Sequence, residues 1–176
     1  HVSLITKNFN EAQAFFVRSS NPMLALEMRR DLMHWDQALE LAQRLAPEQV
    51  PMISKEYAQQ LEFRGEYSAA QDMYQRGYLP MPAALDDGAS PGSAAQQAFT
   101  AQAASVTAHN ATCQSGVARC MMRLGNVRAG MQMCQAVNAT ALYLDCATIL
   151  ETMKQFEEAA MLFEKAEQYE RAVMIY

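Results

Sequence analysis

A large residue, a small residue three positions later and a second large residue four further on recur along this chain. The figure reads Phe156, Ala159, Phe163 and then Tyr169, Ala172, Tyr176 near the end. Upstream it reads Phe9, Ala12, Phe16 and Tyr67, Ala70, Tyr74, with degenerate copies at Trp35, Ala38, Ala42 and Val127, Gly130, Cys134. Steps of three and four put all three members on one face of a helix. The first large residue is expected to wedge against the preceding helix. The small one lets two backbones approach, and the second large one fills the groove toward the next pair. An array of helix pairs follows, in which function is sought on surfaces rather than in a catalytic pocket.

The chain has 176 residues, 51% of them apolar, enough for a continuous core under four to six helical hairpins. The fold class expected is all-α, a tetratricopeptide-like α-solenoid of stacked antiparallel hairpins. Ile53, Tyr57, Ala58 and Leu61 line one face of a first helix. Gly65 sits at the turn, where a positive φ is cheap, and Tyr67, Ala70 and Tyr74 form the second helix. Gly125 marks an equivalent turn before Val127. Repeats are thus expected over 1–78 and again over 113–176. Residues 79–112 are rich in Ala, Ser, Gln, Pro and Gly, and read as an inserted low-complexity segment. Its mobility is expected mainly from 81 to 92, where Pro80, Pro82 and Pro91 interrupt any helix, whereas Ala94 to Ser105 has the composition of a weak helix. The chain stops at Tyr176 inside a repeat figure and is read as a piece of a longer solenoid.

Composition argues against several chemistries. The net charge is -5 with scattered Lys and Arg, whereas a phosphate backbone needs clustered cations, so no nucleic acid is expected as a partner. No apolar run reaches the roughly 20 residues of a membrane span. Cys113, Cys120, Cys134 and Cys146 form no C-x-x-C pair and have no His at ligand spacing. They are expected to be reduced, buried thiols of a cytosolic protein. No nucleophile elbow or phosphate loop appears, so no catalytic residue, metal or cofactor is expected and the chain is not read as an enzyme. Among the thirteen methionines, Met122, Met131 and Met133 are candidates either for packing or for a Met-lined partner groove. A carboxylate-gripping peptide clamp on first helices would use positions such as Lys55, Gln59, Ser115 and Arg119, and only part of that set is present.

The stretch from Ala25 to Tyr67 contains residues the repeat does not demand: Glu27-Met28-Arg29-Arg30-Asp31, His34-Trp35-Asp36 and Ser54-Lys55-Glu56-Tyr57-Ala58. With Cys146 to Tyr176, these resemble the helical region of a core subunit family of intraflagellar transport complex A, the WD-repeat subunit of one hundred and forty-four kilodaltons. The resemblance covers most of the chain outside 79–112. It implies a structural scaffold that supports retrograde ciliary transport and ciliary entry of membrane proteins, through contacts between subunit solenoids. It implies other complex A subunits as partners, first the sister WD-repeat subunit of one hundred and forty kilodaltons, and more loosely a Tubby-family adaptor and complex B. It implies location in the cilium or flagellum, the basal body and the cytoplasm. A vesicle-coat solenoid of the COPI or clathrin type and a peptide-binding co-chaperone are the alternatives. Arg29, Arg30, Lys55 and Arg64 lie in the family-like block yet outside core positions. They are the expected partner interface. The expected repeat-packing residues are Phe9, Ala12, Phe16, Trp35, Ala38, Tyr67, Ala70, Tyr74, Gly130, Phe156, Ala159, Phe163, Tyr169 and Ala172.

Overall fold

A three-residue turn that occurs five times among the described residues organises the helices. The computed structural model describes residues 8–83 and 94–175. Among these, ten α-helices follow one another with no strand: α1 (Phe9–Arg18), α2 (Met23–Asp31), α3 (Trp35–Leu45), a 3-10 turn (Pro47–Gln49), α4 (Val50–Phe63), α5 (Tyr67–Arg76), α6 (Ala94–Arg123), α7 (Val127–Val137), α8 (Thr140–Thr152), α9 (Phe156–Lys165) and α10 (Tyr169–Ile175). The all-α class of packed helical hairpins is what the repeat figure predicts.

The turns after α2, α4, α6, α8 and α9 share one hydrogen-bond pattern. The middle residue is left-handed each time: Met33 at φ 55, Gly65 at 81, Gly125 at 82, Lys154 at 61 and Glu167 at 61. Its N–H donates back three residues, as Gly65 does to the Glu62 carbonyl and Lys154 to that of Glu151. The next N–H donates back five, as Glu66 does to the Leu61 carbonyl and Gln155 to that of Leu150. This doubly bonded reversal occupies helix carbonyls that would otherwise be orphaned. It leaves so short a connection that the flanking helices run antiparallel. Glycine takes the left-handed conformation freely at 65 and 125, whereas Met33, Lys154 and Glu167 adopt it at a cost of roughly 1–2 kcal/mol each.

The residue after each turn caps the next helix with its carbonyl, and the donor is always the small member of the repeat figure. Ala38 donates to His34, Ala70 to Glu66, Gly130 to Asn126, Ala159 to Gln155 and Ala172 to Gln168, and Ala12 donates likewise to Asn8. At α1 the Asn8 side chain also accepts from the Glu11 N–H and donates to the Glu11 carboxylate.

The chain divides into two compact units, His1–Tyr57 and Ala58–Tyr176, the division falling within α4. In the first, α2 packs against both α1 and α3. Its core includes Ala25, Leu26, Ala38, Leu41, Ala42 and Ile53, none more than 2% exposed. In the second, α6 packs against α5, α7 and α8, and α9 lies between α8 and α10. Met122, Cys134, Cys146, Leu150, Leu162 and Phe163 fill its centre, all inaccessible to solvent. Met131 and Met133 lean against the same cluster, so these methionines pack and no Met-lined groove forms from them.

At two positions of the repeat figure the side chains lie largely inside. Ala12, Ala38, Ala70, Gly130, Ala159 and Ala172 are all buried. The third member is buried at Ala42, Tyr74, Cys134 and Phe163 and half-buried at Phe16. The first member is the departure. Phe156 is 49% exposed and Tyr169 63%, so neither is the wedge expected of it, and Phe9, Trp35 and Tyr67 are only half-buried. One step past the cap, that side chain leaves the helix beside the interface. It finds lateral partners instead: Trp35 stacks on Tyr57 with ring centroids 5.8 Å apart, and Phe9 meets the edge of His34 at 5.6 Å.

The described part of the segment expected as an insert is helical from Ala94 on. Residues 94–112 belong to α6, a helix of 30 residues that runs on into the next repeat. Its composition is weakly apolar, but the chain beyond α5 is tied to it. Asn110 accepts from the Leu79 N–H and donates to the Leu79 carbonyl, at 2.8 and 2.9 Å. His109, 8% exposed, donates its Nε2 proton to the Gly77 carbonyl at 2.7 Å. Residues 84–93, which carry most of the expected mobile stretch, lie outside the described residues. The four cysteines are buried thiols outside any disulfide. Cys134 and Cys146 place their sulfurs 3.4 Å apart, and that contact together with burial raises the Cys146 thiol far above its usual range. Among the described residues no helix is long and apolar enough to cross a membrane.

Candidate interaction surface

The four cations expected on a partner surface have different fates. Arg29 is 3% exposed. Its Nε donates to Gln13 Oε1 at 2.7 Å, its Nη2 to Asn10 Oδ1 at 2.6 Å and to the Phe9 carbonyl at 3.4 Å. Its Nη1 lies 2.9 Å from His34 Nδ1. A guanidinium only donates, so His34 Nδ1 accepts and that ring carries its proton on Nε2. Burial lowers the Arg29 pKa from its ordinary value, yet the fork still bonds as a cation to neutral acceptors on α1 and at the α3 cap. The expectation of a surface role for Arg29 is therefore corrected. Its neighbours Glu27 and Asp31 suggest a solvated charge cluster, but the helix turns Arg29 toward α1 instead.

Arg30 does face outward and is about one-third exposed. It forms a two-pronged pair with Glu56, Nη2 to Oε1 at 2.7 Å and Nε to Oε2 at 3.2 Å. Lys55 is half-buried on α4. Arg64, 61% exposed, pairs with Glu66 across its own turn at 2.8 Å. Arg30 and Lys55 belong to the first unit and Arg64 to the second.

The second unit contains a groove that the sequence does not announce. About 510 Å³ in volume, it is lined by Gln59, Glu62 and Phe63 of α4, Tyr67 and Tyr74 of α5, Arg119 and Arg123 of α6, and Asp145, Thr148 and Ile149 of α8. Its floor is a closed polar network. Arg119 grips Glu62 with two bonds, Nε to Oε1 at 2.6 Å and Nη2 to Oε2 at 2.9 Å, and reaches Asp145 at 3.6 Å. The Tyr74 hydroxyl donates to the same carboxylate at 2.6 Å. The paired carboxylate holds Arg119 more firmly protonated than usual, and burial followed by the Glu62 bond raises Tyr74 well above the phenol range. Burial and Glu62 also push the Cys120 thiol up to about 12. Arg119, Glu62 and Tyr74 thus satisfy one another across three helices.

Gly116 makes this floor possible. A Cβ built on it would fall on Cε2 and Cζ of the Tyr74 ring. Sequence reasoning missed Gly116, although a glycine inside a helix costs about 1 kcal/mol against alanine and so signals a packing reason. It also missed Phe63, at the last position of α4 and 91% exposed. Arg119 was legible only as part of an incomplete clamp. Glu62 explains why no clamp forms there, since the guanidinium is already occupied. Among the described residues no group of three His, Cys, Asp or Glu side chains is placed to hold a metal ion.

No family model matches the chain. Against single proteins the similarity is extensive. All 176 residues align at 42% identity with WD repeat-containing protein 19 of Mus musculus, of which they cover 11%. The WD repeat-containing protein dyf-2 of Caenorhabditis elegans is 36% identical over 171 residues, 97% of this chain and 11% of that protein. The chain belongs to the family of WD repeat-containing protein 19. The resemblance seen in Arg29-Arg30, His34-Trp35 and Ser54 to Ala58 therefore points to the right family, the WD-repeat subunit of intraflagellar transport complex A. Intraflagellar transport protein 172 homolog of Danio rerio is also similar, 32% identical over 82 residues, which is 39% of this chain and 5% of that protein. The chain spans about one-ninth of the length of the WD repeat-containing protein 19 relatives it matches.

Proposed function

We propose that this chain is a scaffold stretch of an intraflagellar transport complex A subunit, acting through contacts between helical surfaces. The observation that carries the reading is the alignment of the whole chain with WD repeat-containing protein 19. Two further features support it. The groove floor is an internally satisfied network, suited to holding a shape rather than to moving protons or activating a nucleophile. Large apolar side chains also stand open to solvent on several helices, including Phe63 of α4, Phe156 of α9 and Tyr169 and Met174 of α10.

On this reading the role is structural and not enzymatic. The stretch supports retrograde transport in the cilium or flagellum and the entry of membrane proteins into it. The partners are other complex A subunits, first the sister WD-repeat subunit of one hundred and forty kilodaltons, with a Tubby-family adaptor and complex B as looser ones. The full protein would act at the basal body and in the cytoplasm as well as in the cilium. The organisation into repeats over 1–78 and 113–176 belongs to the same proposal, with the helical 94–112 joined to the second set.

The test uses the charges that remain on the surface, Arg30, Lys55 and Arg64. Full-length protein carrying Arg30→Glu, Lys55→Glu and Arg64→Glu is expected to keep its helicity, because exposed ion pairs contribute only about 0–1 kcal/mol each. It is expected to recover at least one complex A subunit poorly in co-purification, since rim charges steer association and charge reversal opposes it. Undiminished recovery of every subunit would remove these three residues from the interface.

A further inference from the structure

The first unit also has a groove, and all of its charge is of one sign. It encloses about 300 Å³ and is lined by Phe16 of α1 and by Leu24, Glu27, Met28, Asp31 and Leu32 along α2 and its C-cap. Four of these six are apolar, and Leu24 is 40% exposed. The other two are carboxylates, so the lining carries two negative charges and no positive one. Glu27 and Asp31 are both exposed, and neither forms an ion pair or hydrogen bond among the described residues. The two cations of the same helix are engaged elsewhere, Arg29 by Gln13, Asn10 and His34 and Arg30 by Glu56. Like charges one turn apart on a helix repel each other. Here they do so at the edge of an apolar groove.

We propose that this groove takes an amphipathic helix of a partner protein, apolar on the face it buries and with Lys or Arg one turn apart at its edge. Two features of the lining select this occupant. The first is spacing. Leu24, Met28 and Leu32 recur at steps of four over about two turns, and Glu27 and Asp31 follow the same step beside them. A helix laid along them presents its own side chains at matching steps of three and four. The second is sign. Basic residues at i and i+4 of the incoming helix meet two carboxylates that have no cation of their own, whereas an acidic helix meets repulsion along the rim. The proposal rests on the reading that this stretch acts through surface contacts. Its failure is distinguishable, because isolated peptides probe this groove alone, whereas co-purification of the Arg30, Lys55 and Arg64 variant probes that reading.

The experiment titrates full-length protein with three peptides, each carrying one benzoyl-phenylalanine photo-crosslinker at its centre. The first repeats Leu-Lys-Lys-Leu-Leu-Lys-Lys, the second has Glu for every Lys, and the third has Ala for every Leu. Attachment to residues 16–32 is quantified by mass spectrometry. The first peptide is expected to attach there saturably, and the other two at least about tenfold more weakly. The double variant Glu27→Gln, Asp31→Asn and the single variant Leu24→Ser are each expected to weaken attachment of the first at least about fivefold. All three residues are exposed, so circular dichroism is expected to show both variants folded. Neutralising two exposed carboxylates of α9, by Glu157→Gln and Glu164→Gln, is expected to change nothing at 16–32. An equal loss in that control would reduce the effect to general attraction by an acidic chain. Absence of saturable attachment, as when another part of the full-length protein already covers the groove, would overturn the proposal. So would equal attachment of either control peptide, or attachment unaffected by both groove variants.

Discussion

Gly116→Ala lowers the stability of the chain by about 2–3 kcal/mol, although a glycine-to-alanine change inside a helix ordinarily raises it by about 1 kcal/mol. The reversal of sign comes from Tyr74. Its ring occupies the space the new methyl group needs, and it has nowhere to go. The side chain is wholly inaccessible to solvent, and its hydroxyl is held by Glu62 at 2.6 Å, which Arg119 in turn holds with two bonds. Relief therefore requires either separating α5 from α6 or breaking the network on the groove floor. The expectation is tested by urea denaturation of Gly116→Ala in two backgrounds. Tyr74→Ala alone loses about 3–5 kcal/mol, the usual range for emptying a large aromatic site. In that background Gly116→Ala becomes neutral or stabilising, because only helix propensity is left to act. A neutral Gly116→Ala in the unaltered chain would mean that α5 and α6 do not meet at this position.

The second large effect separates two adjacent arginines. Arg29→Glu costs about 3–4 kcal/mol, because it buries a carboxylate among the acceptors that held the guanidinium. Asn10 Oδ1, Gln13 Oε1 and the Phe9 carbonyl all present lone pairs to that position. Arg29→Lys restores the charge and little of the stability, since one ammonium cannot span acceptors arranged for a fork. Arg30→Glu costs only about 1 kcal/mol, the range of a surface pair such as the one it forms with Glu56. Thermal melts of the three variants decide the matter. Equal shifts for Arg29→Glu and Arg30→Glu would return Arg29 to the surface.

What the sequence made legible follows from which constraints leave a distinctive residue type. Close helix crossings exclude large side chains, so Ala38, Ala70, Ala159 and Ala172 could be read directly, and all are buried. Left-handed turns leave a sign only where glycine fills them. Gly65 and Gly125 were readable for that reason, whereas Met33, Lys154 and Glu167 take the same conformation with no marker of it. Arg29 was read as a surface residue because it falls outside the core positions of the repeat, whereas its partners are neutral groups sixteen to twenty residues away. The exposed Phe156 and Tyr169 were misread because periodicity gives the face of a helix but not how far its first turn extends past the neighbour. The helical character of 94–112 was weakly encoded, and it rests on bonds from His109 and Asn110 to the backbone of Gly77 and Leu79. The groove was illegible for a related reason. Its residues come from four helices, and no short motif brings Glu62, Tyr74 and Arg119 together.

The central claim is that these hairpins work as a binding scaffold inside complex A. Amide hydrogen exchange across residues 8–175, in full-length protein free and assembled with the other complex A subunits, tests it most directly. Slower exchange is expected in the assembled state over a contiguous set of helix ends and turns, with the core amides of α6, α8 and α9 slow in both. Identical exchange throughout the stretch in the two states would contradict it.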